Sequence, residues 1–298
     1  MPHRIIDTRT ESVVDFEGFL ARCSDARVVA LGEQHDDPAT HVFELAVLQG
    51  LQRRRGDVVL SLEMFERDVQ SVLDRYLAGE ITEDEFLATS RPWGNYPTDY
   101  RPMVEFAREH NVPVVAANVP RPLAALVARQ GMESTQFDEE ERAWISPIFE
   151  APQDAYWDAF IQTMQMPGMN EMGVNEASLK LYYEAQVLKD EAMAYSVSSA
   201  AENFPSATVF HVTGAFHIAD YLGTYPRIRR ELPGADTVSI LVLPVDDLLA
   251  PIPSDAPKAD YIVLVLAPPS EAQPGTTETP QMPPMPPMPG MPPSRPEG

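Results

Sequence analysis

The sequence predicts an α/β fold with a mostly parallel central sheet flanked by helices. Six short runs are nearly continuous in apolar, β-branched residues, as strands buried on both faces are. Helical patterns separate these runs along most of the chain, and such alternation implies right-handed crossovers between parallel strands. The predicted strands are Arg27–Gly32, Val58–Glu63, Val112–Asn118, Thr208–Thr213, Thr237–Leu243 and Tyr261–Ala267.

Amphipathic patterns and capping residues place the helices. Thr82 and Glu85 fit a capping box, and Pro120 suits a first helical turn, where a missing N–H costs nothing. The helices predicted before residue 136 are Ser12–Cys23, Pro38–Arg54, Arg67–Leu77, Thr82–Thr89, Tyr100–His110 and Pro120–Arg129.

A different organisation is predicted between about Gln136 and Asn203, where only helical patterns occur. We interpret this stretch, residues 136–203, as a helical cap inserted over the carboxyl edge of the sheet. Its predicted helices are Asp138–Phe149, Asp154–Met164 and Asn175–Ala200. Residues 1–267 then form one α/β domain.

The end of the chain has another composition. Residues 268–298 are rich in proline and methionine, with Met-Pro-Pro repeats from Met282 to Pro293. Such a segment cannot form a core, so we expect an extended, disordered tail. A polyproline ligand for a partner domain is the alternative.

Charge and composition exclude several classes of partner. The formal net charge of −23 argues against nucleic acid and against an anionic membrane surface, since both would be repelled. The single cysteine, Cys23, excludes an internal disulfide framework. No apolar run approaches the roughly 20 residues of a membrane helix, and the N-terminus has neither an apolar signal region nor a lipid-acceptor cysteine. We therefore expect a soluble protein, cytoplasmic by default.

Two Gly-x-x-His motifs follow predicted strands: Gly32 with His35, and Gly214 with His217. A glycine after a strand permits a sharp turn, including one with positive φ. The histidine three residues later then returns over the carboxyl end of its strand, which is where open parallel sheets bind ligands. The motifs predict that both imidazoles face one pocket.

Polar side chains also lie at the ends of predicted strands. Glu63 lies at the end of a buried strand, where a carboxylate is costly unless it is paired or bound to a cation; Glu33 and Asn118 are close to strand ends as well. Together with His35 and His217, Glu33 and Glu63 resemble the ligand set of a catalytic zinc or manganese site. The same groups could perform acid–base catalysis without a metal. The remaining histidines, His3, His41, His110 and His211, are interpreted as structural.

Two further segments have the composition of a ligand surface, with loop packing as the alternative for both. Residues 91–102 contain Trp93, Tyr96 and Tyr100 with several arginines, and arginine matches carboxylates in bidentate fashion. Residues 164–173 form a methionine-rich segment whose flexible thioethers suit a large flat apolar ligand. Residues 189–191, Lys-Asp-Glu, are interpreted as a solvated helix face, although one carboxylate could face the pocket.

Several of these motifs together resemble the ChaN family, which is grouped with the TraB/Tiki proteins and, more distantly, with the erythromycin esterases. The similarity is carried, in order from about Val28 to Leu243, by Gly-Glu-Gln-His-Asp-Asp-Pro-Ala-Thr-His, Ser-Leu-Glu-Met-Phe, the aromatic segment, Ala-Asn-Val-Pro-Arg, Lys-Asp-Glu-Ala-Met-Ala and Gly-Ala-Phe-His. The resemblance implies a parallel sheet with a helical cap. It also implies a haem-binding protein of bacterial iron uptake that dimerises around two stacked haems.

The resemblance implies roles for individual residues. In the Tiki branch, which contains metal-dependent proteases, His35 and His217 would be metal ligands; in the esterase branch, His35, Glu63 and His217 would be catalytic. For haem, Arg91, Arg101 and Arg121 are expected to meet the propionates. The candidate iron ligands are His35, His217, Tyr96, Tyr100, Tyr182, Tyr183 and Tyr195.

Two functions follow from the sequence. The first is a ChaN-like haem-binding protein in haem or iron uptake or handling, not an enzyme. The alternative is a divalent-metal-dependent hydrolase of peptides or esters. Because haem has two large apolar faces and one open cleft covers only one, we expect a homodimer that forms on ligand binding. The chain departs from typical ChaN proteins in lacking the lipid-acceptor start and in carrying the Met-Pro tail.

Overall fold

The computed structural model describes residues 2–164, 175–252 and 256–268. Most of the methionine-rich segment and residues 269–298 of the predicted tail lie outside these ranges. Within them the strands are β1 (His3–Asp7), β2 (Ser12–Val14), β3 (Val28–Glu33), β4 (Val58–Glu66), β5 (Val114–Asn118), β6 (Thr208–Gly214), β7 (Thr237–Val245) and β8 (Tyr261–Leu266). The α-helices are α1 (Phe16–Asp25), α2 (Pro38–Arg55), α3 (Gln70–Leu77), α4 (Glu83–Ser90), α5 (Arg101–His110), α6 (Arg121–Gln130), α7 (Glu139–Trp144), α8 (Ala155–Met164), α9 (Glu176–Asn203) and α10 (Thr224–Glu231).

The strands form a single sheet in the order β2-β1-β8-β7-β3-β6-β4-β5. From β8 to β5 all neighbours are parallel, and β1 is antiparallel to both β8 and β2. Helices α1 to α5 pack on one face, and α9 and α10 pack on the other. The predicted α/β fold with a mostly parallel, helix-flanked sheet is confirmed. In the described part of the chain, no helix has the length and apolar character needed to cross a membrane.

The N-terminal segment differs from the prediction of a helix over Ser12–Cys23. Ser12–Val14 is instead a strand paired with β1, and the helix starts only after Asp15, whose side chain accepts a hydrogen bond from the Gly18 N–H at 2.7 Å. The capping aspartate fixes the start of the helix because it satisfies a backbone donor that has no partner within the helix. The predicted capping box at Thr82 and Glu85 is present.

Helix α9, which lies within the cap predicted for residues 136–203, packs on the sheet. Helix α7 ends at Trp144, five residues before the predicted end, because Ile145 adopts an extended conformation. The first half of α9 reaches the carboxyl edge of the sheet, while Val197 and Ala201 in its second half pack against β3, β4 and β6. Helix α9 is therefore a layer of the fold as well as part of the predicted cap.

The free edge of β5 is occupied by a side chain. The Gln70 amide, at the start of α3, donates to the Val114 carbonyl oxygen at 2.9 Å and accepts from the Ala116 N–H at 2.7 Å. These are the backbone groups that a further strand would use. The edge is thus closed locally without another strand.

A histidine lies in the middle of the sheet. His211 of β6 is fully buried, its Nδ1 is 3.0 Å from the Ser61 hydroxyl of β4, and its Nε2 has no hydrogen-bond partner. Burial lowers the pKa of His211 from 6.5 to about 4, because desolvation penalises the imidazolium. The ring is therefore neutral in the folded protein at neutral pH.

We expect His211 to make the fold sensitive to mild acid. The pKa of His211 is lower in the folded than in the unfolded protein. The free energy of unfolding is therefore unaffected by this titration above pH 6.5, and it falls by about 3 kcal/mol as the pH decreases towards 4. The His211→Leu variant removes this titration. Urea unfolding between pH 7 and pH 4 should show a smaller loss of unfolding free energy in the variant. Parallel losses in the two proteins would contradict the assignment.

Candidate functional site

The two Gly-x-x-His motifs lie side by side in the structure. Strands β3 and β6 are adjacent and parallel, with Glu33 opposite Gly214, and β4 lies on the other side of β6. His35 Nε2 and a Glu63 carboxylate oxygen lie 2.8 and 3.7 Å from the position that a Cβ on Gly214 would take. The strand order thus brings side chains distant in sequence to one point on the carboxyl edge.

The motif glycines serve close packing, whereas the sequence suggested a turn with positive φ. Gly32 is still within β3, Gly214 has φ −59°, and neither is among the residues with positive φ. A Cβ on Gly32 would lie 2.7 Å from a Leu241 methyl carbon and 2.9 Å from the Ala215 Cα. The missing side chain of Gly32 leaves room for Leu241 and Ala215 in the core, and that of Gly214 leaves room for His35 in the pocket.

His35 is held through one ring nitrogen. Its Nδ1 is 2.6 Å from Glu33 Oε1, and the Tyr100 hydroxyl donates to the same oxygen at 2.6 Å. The Trp93 ring lies edge-on to the imidazole at 4.9 Å. Burial opposes a charge on His35, but Glu33 and Glu63 outweigh it and raise its pKa. The side chain is 26% exposed, so solvent reaches it.

His217 is enclosed on both sides. It lies in a single 3₁₀ turn after β6, with Nδ1 2.7 Å from Asp190 Oδ1 and Nε2 3.5 Å from Glu63 Oε1. The Gln186 amide lies 3.3 Å from Nε2. Although burial favours the neutral ring, Glu63 and Asp190 raise the pKa of His217 to about 10. His217 is therefore an imidazolium at neutral pH, paired with two carboxylates.

Glu63 is aimed into the pocket by an irregularity in β4. The β4–β5 register shifts between Leu62 and Glu66, and bulges of this kind re-aim a side chain beside a site. Glu63 Oε2 accepts hydrogen bonds from the Thr213 hydroxyl at 2.6 Å and from the Gly214 N–H at 2.8 Å. Burial alone would raise the pKa of Glu63, but His217 and His35 hold it well below its ordinary value.

Tyr96 and Tyr100, two of the five tyrosines named as candidate iron ligands, do not offer a phenolic oxygen to an incoming ligand. Tyr96 is 1% exposed, its ring packs against Phe65 and Phe86, and its hydroxyl is buried without a partner. Tyr100 is fully buried and its hydroxyl is committed to Glu33. Burial raises the pKa of both phenols. Their role as iron ligands is not supported by this arrangement.

Most of the predicted arginines already have carboxylate partners. Arg91 bonds Glu66 and Asp68, and Arg101 bonds Glu83. Arg121, at the start of α6, is 58% exposed and has one ion pair, at 3.8 Å from Glu66. Arg121 is the arginine that remains available to an anionic group.

The four residues predicted as metal ligands do not form one chelating group. Within the described ranges, one group of three or more His, Cys, Asp and Glu residues has ligand atoms that all lie within 4.8 Å of one another, and it consists of Glu33, His41 and Glu44. Asn118 ends β5 as expected, and its side-chain oxygen is buried without a partner. Of the predicted set, only Glu33 belongs to the close group.

The partner of His217 is a residue that the sequence offers only as an alternative. The sequence favours a solvated face for residues 189–191, with one carboxylate facing the pocket as the alternative, but Asp190 and Glu191 are 0% and 1% exposed and Asp190 contacts His217. Asp190 accepts from Tyr156 at 2.7 Å and from Thr224 at 2.8 Å besides contacting His217. The available signal was that apolar residues lie on both sides of residues 189–191 in the sequence, because buried carboxylates require partners.

Comparison with known proteins assigns the chain to a family. Residues 19–228 match the family model described as haem-binding uptake, Tiki superfamily, ChaN, which covers more than half of the chain. The chain belongs to the ChaN family. The family resemblance inferred from the motifs is confirmed, and the family is one described as haem-binding.

Solved structures support the fold of this ChaN member. ChaN of Campylobacter jejuni, whose structure is described as showing cofacial haem binding, superposes with a TM-score of 0.64 at 16% identity, covering 88% of this chain and 96% of that chain. The erythromycin esterase EreC superposes with a TM-score of 0.48 at 14% identity, covering 81% and 77%. The superposition on ChaN shows that the two chains share a fold.

One curated relative is longer than this ChaN chain. The RETICULATA-RELATED 5 protein of Arabidopsis thaliana, described as chloroplastic, is 24% identical over 252 residues. The match covers 80% of this chain and 34% of the relative. The chain thus spans about a third of the relative's length.

Alanine at the two motif glycines should have different effects. In Gly214→Ala the obstructing atom is the end of the His35 side chain, so we expect a folded protein with a displaced imidazole. In Gly32→Ala the Ala215 backbone obstructs the methyl group, and overpacking should cost about 1–3 kcal/mol of unfolding free energy. Urea unfolding and NMR of the histidine rings test both. An unchanged His35 signal in Gly214→Ala would contradict this description of the pocket.

Proposed function

We propose that this chain binds haem at the carboxyl edge of its sheet, with His35 Nε2 as the iron ligand. The observation that carries the proposal is the asymmetry of the two motif histidines. His35 is held at Nδ1 alone, and among the described residues nothing hydrogen-bonds to its Nε2. A carboxylate at Nδ1 orients the ring and strengthens the other nitrogen as a ligand.

His217 is the weaker candidate for iron. Both of its ring nitrogens face carboxylates, and Gln186 lies beside Nε2. Binding iron there would break an ion pair inside the protein, which costs more than displacing water. We therefore give His217 a positioning role, in which it holds Glu63 ionised next to the ligand.

The surroundings of His35 suit a haem. Trp93 contacts the imidazole and supplies an aromatic surface at the position where one face of a macrocycle would lie. Arg121 is exposed at the same edge, with a single long ion pair, and we propose that it binds a propionate. Family membership supports a role in haem or iron uptake or handling.

Haemin titration tests the proposal. The wild-type chain should give a shifted Soret band that saturates, whereas His35→Ala should bind at least about tenfold more weakly, a loss of roughly 1.4 kcal/mol. His217→Ala should retain the axial ligand and so lose less. The matched control is His110→Ala, which removes an exposed histidine at the end of α5.

Each other result has a definite meaning. An equal loss in His110→Ala would indicate non-specific binding of haemin to histidines. Full binding by the His35→Ala/His217→Ala double variant would move the iron ligand elsewhere and refute the assignment. No Soret change in the wild type would refute haem binding itself.

A hydrolase of esters or peptides is the second candidate, because Glu63 lies between two oriented imidazoles. In that mechanism Glu63 would accept a proton from water, and the His217 imidazolium would stabilise the oxyanion that develops. A carboxylate with such a low pKa is a weak base, however. The predicted zinc or manganese ligands His35, Glu33, Glu63 and His217 also form no close group in the described chain. Haem binding is therefore the better supported function.

We also propose that haem binding drives formation of a homodimer. An edge site covers one face of the macrocycle, and a second copy would cover the other. Two chains that each carry a charge of −23 repel one another, so the apo protein should be monomeric at low salt. Sedimentation velocity at two ionic strengths should detect a dimer only with haemin, more stable at higher salt. One haem per chain at an unchanged monomer mass would contradict the proposal.

A further inference from the structure

A second group of potential ligands lies beneath the pocket. Glu33 ends β3, and His41 and Glu44 are three residues apart on one face of α2, which packs over the same strand. Their ligand atoms lie within 4.8 Å of one another. The three residues are 1%, 5% and 0% exposed, so water does not screen them.

The hydrogen bonds of His41 determine which ring nitrogen faces the group. Its Nε2 is 3.0 Å from the His35 carbonyl oxygen, which can only accept, so Nε2 carries the proton. In a neutral ring Nδ1 would then have a lone pair. That atom is 3.1 Å from Glu44 Oε2, within hydrogen-bond distance, and 3.7 Å from Glu33 Oε2. The nitrogen and the two carboxylates therefore face one another.

Two carboxylate oxygens of this group have no hydrogen-bond donor. Glu33 Oε2 and Glu44 Oε1 are both buried without a partner, whereas Glu33 Oε1 accepts from Tyr100. Unpaired buried acceptors are rare in folded proteins, because each loses its hydration without replacement. An arrangement of acceptors without donors is what a cation requires.

We propose that Glu33, His41 and Glu44 bind a divalent first-row transition metal ion. One imidazole with two carboxylates is a nitrogen and oxygen set that suits Zn²⁺ or Mn²⁺. Asp99 and the His35 carbonyl oxygen orient His41 from behind, as outer partners of metal-bound histidines do. This site goes beyond the proposed haem site and does not depend on it.

The metal site would be connected to the haem site through Glu33. One oxygen of this carboxylate contacts His35 Nδ1, and the other faces the proposed metal. A cation on Oε2 withdraws electron density from Oε1 and so weakens its hold on His35. The metal would therefore affect how strongly His35 Nε2 binds the haem iron.

A shared proton is the competing explanation. Burial and the neighbouring Glu33 raise the pKa of Glu44 well above its ordinary value, so without a cation Glu44 can be neutral and donate to Glu33. The Glu44→Gln variant separates the two explanations. A glutamine amide also donates a hydrogen bond to Glu33, but it removes a charged ligand.

The test measures metal on the full chain. Protein treated with a chelator and desalted is incubated with Zn²⁺ or Mn²⁺ alone, and bound metal is determined by mass spectrometry. We expect about one ion per wild-type chain and a higher Tm with metal. In Glu44→Gln, metal affinity should fall at least about tenfold, and the Tm should no longer respond to metal.

Two controls give the other outcomes a meaning. Glu63→Gln removes a buried carboxylate of the haem pocket and should bind metal as the wild type does. Metal loss in Glu63→Gln with retention in Glu44→Gln would overturn the proposal, as would a wild type that binds neither ion. If Glu44→Gln does not fold in the chelator, His41→Gln provides the same comparison. Since no haem is present, the result is independent of the haemin titration.

Discussion

Neutralising buried carboxylates is the constraint on which the carboxyl edge of this sheet depends. Glu33, Glu44, Glu63 and Asp190 are among the buried carboxylates at or beside this edge. A carboxylate removed from water is tolerated only with a proton, a cation or several donors around it. The histidines, the Thr213 hydroxyl and the Gly214 N–H supply much of that compensation. The positions of these histidines and donors are thus explained by the buried carboxylates they compensate, without reference to a ligand.

The same constraint makes the two similar motifs chemically different. Each motif histidine has a buried carboxylate at Nδ1, Glu33 for one and Asp190 for the other. Glu63 is close enough to His217 to form a second ion pair there. One imidazole therefore belongs to the internal charge network, and the other keeps a nitrogen for an external partner. The two copies of the motif thus have different electrostatic surroundings.

The sequence was sufficient for the parallel strands and for the meeting of His35, His217 and Glu63, because apolar runs and strand-end residues are local signals. It was not sufficient for the short strands β1, which pairs with β8, and β2, which pairs with β1. It offered a carboxylate of residues 189–191 only as an alternative, because Lys189 beside Asp190 is typical of an exposed face until the packing of α9 is known. The group of Glu33, His41 and Glu44 was missed for a similar reason. A histidine on a helix shows its partner only when the helix is placed against a strand.

The Gln70 amide at the β5 edge has a consequence for the behaviour of the protein in concentrated solution. Exposed strand edges recruit strands from other molecules, and polymerisation by this route starts at free N–H and C=O groups. Here the amide occupies one donor and one acceptor of β5, and the opposite side of the sheet ends in the short strand β2. Extension of the sheet by a strand from another molecule is therefore opposed at both of its outer strands.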